Sequence, residues 1–87
     1  MKQEIEITGY NPNNGLQLNW EKDFSIKVIQ NENEVILTAN KAGLYSLANH
    51  LLNLAQDGAP AGSHIHLDEN NSLEEGSSDL IIEKVGM

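Results

Sequence analysis

The chain of 87 residues contains no cysteine, no arginine and no uninterrupted apolar run of membrane-spanning length. Without cysteine, disulfides and thiolate metal sites are excluded, and nothing points to an oxidising compartment. The missing arginine, with only lysine supplying the five basic residues against 13 acidic ones, argues against phosphate and nucleic-acid recognition. That recognition wants guanidinium forks and a positive field. The opening "MKQEIEIT" carries no apolar stretch behind its lysine, so no secretory signal is expected. No segment reaches the roughly 20 apolar residues of a spanning helix, so a membrane role is not expected and the expected location is the cytoplasm. There is no Gly-x-Ser-x-Gly, no P-loop and no dinucleotide glycine pattern. The chain therefore reads as a non-enzyme, and no cofactor is implied.

What is present is negative charge, a formal −8 with a pI near 4.5. A field of that sign attracts a basic partner and speeds encounter more than it sets final affinity. The length predicts one domain over residues 1–87, with room for a single modest core but not for a deep lidded cleft.

Residues 3–8, "QEIEIT", alternate in period two, with Ile5 and Ile7 on one side and Glu4 and Glu6 on the other, which predicts a half-buried strand. "GYNPNNG" then turns the chain, and Leu16, Leu18 and Trp20 share one face of a second predicted strand. "FSIKVIQ" sets Phe24, Ile26 and Val28 against Ser25 and Lys27, and "NEN" makes a hairpin turn into "EVILTA". At Asn40, a good N-cap, the period lengthens to that of a helix over Lys41 to Gln56. Its apolar stripe is read as Leu44, Leu47, Ala48, Leu51 and Ala55 with Leu52 and Leu54 on the flanks, and Ser46, Asn49 and Asn53 fall on the opposite side. "DGAPAG" ends it. "SHIHLD" and "DLIIEKV" then form two last strands. The expected fold is α+β, an antiparallel sheet of about six strands in the order β-β-β-β-α-β-β with one amphipathic helix packed on one face.

Two groups of residues carry chemistry. In "SHIHLD", Ile65 and Leu67 point inward and His64, His66 and Asp68 share the other face, about 7 Å apart per two-residue step, a spacing that serves a metal when another element completes the site. His50, at the border of the helix stripe, is a further candidate ligand. A structural or surface role is the main reading of these histidines, and a metal site the alternative. The second group is acidic. Six of the 13 acids, Asp68, Glu69, Glu74, Glu75, Asp79 and Glu83, lie between residues 68 and 83 with no basic residue among them. The intervening loop of about ten residues exceeds an ordinary hairpin connection, and long loops tend to be functional. Asp68, Glu69, Glu74, Glu75 and Asp79 are thus the candidate partner-binding residues. Tyr10 and Leu73 are possible apolar anchors beside them, if exposed.

The helix "LYSLANHLLNLAQ" followed by "GSHIHLDENNSLEEGSSDLIIEKV" resembles the immunity protein 32 family of bacterial polymorphic toxin systems, over about half of the chain. The resemblance rests on the His-x-His-x-Asp strand, the "NSLEEGS" loop and the "LIIEK" strand in that order. It implies a non-enzymatic antidote, encoded beside a toxin, that binds this cognate protein toxin and blocks its activity. Separately, exposed strand edges are ready templates for pairing two copies, and the expected state is a monomer or homodimer. A small metal-binding protein or metal-dependent enzyme using His64, His66 and Asp68 is the alternative from another class, and a sheet-mediated assembly subunit is a third.

Overall fold

The structure, a computed structural model, describes residues 1–86. Among these residues five regular elements follow one another: β1 (Ile26–Asn31), β2 (Glu34–Ala39), α1 (Lys41–Ala55), β3 (His64–Leu67) and β4 (Leu80–Glu83). The class is α+β, as the change of period predicts, with one helix and antiparallel pairs. The expected single sheet of about six strands is not formed. Among the described residues there are four strands in two two-stranded sheets, β1 with β2 and β3 with β4.

The difference lies in the first 20 residues. Their period-two alternation survives as alternating burial, with Ile5, Ile7, Leu16, Leu18 and Trp20 partly covered and Glu4, Glu6, Gln17 and Asn19 exposed. Their backbones, however, are bonded by helix side chains instead of by neighbouring strands. Asn49 Nδ2 donates to the Glu6 carbonyl at 3.2 Å and Gln56 Nε2 to that of Thr8 at 3.4 Å. The Tyr10, Asn19 and Glu21 amides donate to Gln56 Oε1, Asn49 Oδ1 and Ser46 Oγ at 2.7, 2.9 and 2.8 Å. Backbone groups near a core must find partners somewhere, and here the helix supplies them. Between the two segments Asn11 accepts bonds from Asn14 and Gly15 in the expected turn.

This duty rotates the helix away from the sequence reading. Ser46, Asn49, His50 and Asn53 are buried, together with Leu47 and Leu54. Leu44, Leu51 and Leu52, expected in the inward stripe, are 55%, 50% and 44% exposed. The apolar count is high enough to cover two faces, and the polar residues are needed inside to satisfy the first 20 residues. The bounds of the helix are as expected to within one residue. Asn40 caps it by accepting from the Gly43 amide at 2.7 Å, and Gln56 closes it. Gly43 is required where the first turn crosses the hairpin, since a Cβ there would stand 2.5 Å from the Ser25 carbonyl oxygen and 2.9 Å from Ile26 Cγ1.

One hydrophobic cluster, Ile26, Val28, Leu47, Leu54, Ile65, Leu67 and Leu73, lies under the helix, with Trp20, Phe24, Leu80 and Ile82 packed against it. The inward faces of β1 and β3 are those the alternation predicts. The two sheets are stitched by residues 74–78, which run along the free edge of β1. The Glu74 and Ser78 amides donate to the Ile26 and Val28 carbonyls at 2.8 and 2.7 Å, and Ser77 Oγ accepts from the Val28 amide at 3.1 Å. β2, on the opposite side of β1, exposes Val35, Ile36 and Leu37. Lys84 Nζ, from just beyond β4, donates to the Gln56 and Ala59 carbonyls at 2.8 and 2.7 Å, and so ties the end of the helix to the last strand.

Candidate functional site

The outer face of β3 and β4 is assembled by register. β3 pairs antiparallel with β4 so that Leu67 faces Leu80 and His66 faces Ile81. One step further, this register sets Asp68 opposite Asp79, on the same side as His66. His66 Nε2 hydrogen-bonds Asp79 Oδ2 at 3.1 Å and lies 3.9 Å from Asp68 Oδ2. Asp68 is held in place by its other oxygen, Oδ1, which accepts from the amides of Asn70 and Asn71 at 2.9 and 3.1 Å. One ligand atom from each of His66, Asp68 and Asp79 lies within 4.8 Å of the others, a triad that could hold a divalent cation.

This is not the predicted metal set. His64 is outside it, with its Nδ1 3.3 Å from the Gly62 carbonyl oxygen, and Asp79 takes its place. Asp79 reaches the group across a connection of a dozen residues, so only the pairing register reveals it. His50 is outside the group as well. It is fully buried, edge-on to Trp20 with ring centroids 4.2 Å apart, and burial lowers its pKa from 6.5 to about 4. Its Nδ1 lies 3.3 Å from Asn49 Oδ1, and its Nε2 has no protein partner among the described residues.

The acidic connection is more tightly built than its length suggests. The Asp68 carbonyl accepts from the amides of Asn71, Ser72 and Leu73, and Asn71 Oδ1 accepts from the Asp68 amide at 3.0 Å. Glu69 Oε2 accepts from the Gly76 amide at 2.8 Å, where Gly76 has φ 86°. Of the five candidate contact residues, Asp68 and Glu69 therefore brace the turn and Asp79 is engaged by His66. Glu74 and Glu75 are exposed, on a segment whose backbone is fixed to β1, and they line an open groove with Lys27, Thr38 and Asn40. Leu73 is not an exposed anchor. It is 5% exposed and belongs to the core cluster, while Tyr10 is half-buried over the helix end.

A family model described as Immunity protein 32 matches residues 34–85, more than half of the chain, from β2 through α1 and the acidic connection to the end of β4. No curated protein and no solved structure matches. No helix among the described residues is long and apolar enough to cross a membrane.

Proposed function

The chain belongs to the immunity protein 32 family, and on that premise we propose that it binds a cognate bacterial toxin one to one and neutralises it by occlusion in the cytoplasm of the producing cell. It does so as a binding protein and not as an enzyme. The observation that carries the electrostatic part of this reading is the exposure of Glu74 and Glu75 on a segment pinned to β1. Such charges are held at a fixed place on the surface while their carboxylates stay solvated, which favours steering of a basic partner over tight burial. Asp68, Glu69 and Asp79 extend the same negative edge, and with it they complete the proposed partner-facing set.

The test is a co-expression and titration experiment with the toxic domain encoded beside this chain. Growth should be restored when the two are made together, and titration calorimetry should saturate at one to one. Toxicity that persists with equimolar, folded protein would sink the reading. Within the complex, E74Q/E75Q/D79N should slow association several-fold and flatten its salt dependence, because screening acts on exposed charges.

A second reading is favoured by one observation, the His66, Asp68 and Asp79 triad within 4.8 Å. On it the chain holds a divalent cation at its surface. Calorimetric titration with zinc and with manganese, repeated on His66→Asn, separates the two readings, since toxin occlusion requires no metal at this triad.

A further inference from the structure

The helix presents an apolar stripe to the outside. Leu44, Leu51 and Leu52 are about half exposed, and with Ala48 and Ala55 they recur at i, i+4, i+7, i+8 and i+11, the spacing of a packing face. The core does not explain this stripe, because the inward face is separately built from Leu47, Leu54 and the polar residues that bond the first 20 residues. Contiguous exposed apolar surface with a polar rim marks an interaction site more often than it marks chance.

Two clefts, one at the N-terminal half of the stripe and one sharing a wall with it, indicate what chemistry would cover this face. One, of about 410 Å³, is lined by Gln3, Ile5, Lys41, Leu44, Tyr45 and Ala48, and can seat an aliphatic or aromatic side chain. The other, of about 420 Å³, is lined by three carboxylates, Glu4, Glu6 and Glu21, together with Ile5, Asn19, Tyr45 and Asn49. Ile5 and Tyr45 line both, so the apolar and acidic clefts share a wall. Among all the lining residues only Lys41 is basic, and it stands over the Tyr45 ring, 5.9 Å from its centroid. A second copy of this chain is a poor occupant. It would bring another formal −8 against the same three glutamates, and like charges juxtaposed in an interface oppose association. The Glu74 and Glu75 groove includes Asn40, the N-cap of the helix, and the apolar cleft includes Lys41, its first residue.

We propose that this face, the Leu44, Leu51 and Leu52 stripe with its paired apolar and three-glutamate clefts, is the anchoring surface for the toxin and takes a segment that sets an apolar side chain beside a lysine or arginine. The proposal rests on the immunity reading and deepens it. Glu74 and Glu75 guide the approach, and the helix face holds the complex.

Surface-immobilised toxic domain, encoded beside this chain, is the probe, and dissociation rates are read for the wild type, Leu44→Ser/Leu51→Ser, and Glu4→Gln/Glu6→Gln/Glu21→Gln. Both leucines are about half exposed and the three glutamates are exposed, so each variant should keep its thermal midpoint within a few degrees of wild type, which is checked first. Each should dissociate at least about tenfold faster than wild type and lose protection at equal dose, whereas E74Q/E75Q should change association alone. Wild-type dissociation from both folded variants overturns this surface while leaving the immunity reading intact. Failure of the wild type itself to bind or protect removes both. A dimer of the free chain in sedimentation that Leu44→Ser/Leu51→Ser dissolves would make a second copy the occupant and overturn the proposal.

Discussion

His50 sits on the inward face of the helix with no exposed surface, and burial lowers its pKa from 6.5 to about 4. The native protein therefore holds it neutral at pH values where the unfolded chain already binds a proton. Stability rises with pH wherever the unfolded state carries more protons, so His50 contributes fully above its unfolded pKa. That contribution fades as pH falls through the interval between 6.5 and about 4, and the loss levels off below it, once both states are protonated. The two pKa values give a loss of about 2 kcal/mol on going from about pH 8 to about pH 5, and of about 3 kcal/mol in the limit of low pH. A domain of 87 residues has about 4 to 13 kcal/mol in all, so the loss is a substantial fraction. His50→Leu removes the titration and the unpartnered Nε2 while keeping an apolar side chain against Trp20. Urea unfolding of both proteins at half-unit steps from about pH 8 to about pH 4 isolates the histidine, because carboxylate contributions common to the two cancel in the difference. The difference between wild type and variant should move by about 2 kcal/mol toward the variant by about pH 5. A difference that stays flat across this interval would refute the assignment of His50 as a neutral, desolvated group.

Three further substitutions test the packing. Gly43→Ala gains about 1 kcal/mol of helix propensity yet should lower stability by a net 1 to 2 kcal/mol or so, because its Cβ meets the Ser25 carbonyl at 2.5 Å; a more stable variant in urea would show that the crossing is looser than described. Asn49→Ala strips partners from the Asn19 amide and the Glu6 carbonyl and should cost about 2 to 4 kcal/mol, with faster amide exchange at Asn19; unchanged exchange there would count against the helix as the tether of the first 20 residues. Glu32→Gly relieves a left-handed φ of 52° in the hairpin turn and should raise stability by roughly 0.5 to 1 kcal/mol, read as a higher thermal midpoint; a fall would mean that the side chain matters more than the backbone strain.

How far the sequence discloses this molecule depends on the kind of question. Sidedness is legible: Ile5 and Ile7, Leu16, Leu18 and Trp20, Ile26 and Val28, and Ile65 and Leu67 all face inward as alternation requires. Pairing is not legible, because period two says that a segment has two faces and says nothing about what bonds its backbone. The segments around Ile5 and Leu18 could have joined a sheet, and instead Ser46, Asn49 and Gln56 meet them from the helix. The same fact explains the unexpected rotation of the helix, since an apolar count ranks Asn49 as a surface residue until its side-chain bonds with Asn19, Glu6, His50 and Asn53 are known. In the site, His66 and Asp68 were legible as neighbours on one face. Asp79 as their third member was not, because a long connection leaves the register of β4 open.

The tethering of the first residues by the helix also fixes an order in time. Gln3 bonds Tyr45, Glu6 bonds Asn49 and Tyr10 bonds Gln56, at sequence separations of 42, 43 and 46. Ser77 closes on Val28 at a separation of 49. By contrast, the β1–β2 hairpin and α1 form from near neighbours, and local contacts form fastest. As synthesis proceeds from the amino end, residues 1–20 emerge before the helix whose side chains bond them, and Tyr10 must wait until Gln56 has left the ribosome. Residues 1–20 thus settle after the hairpin and helix that follow them in sequence, and the three-glutamate cleft, which needs Glu4, Glu6 and Tyr45 together, exists only once that late step is complete.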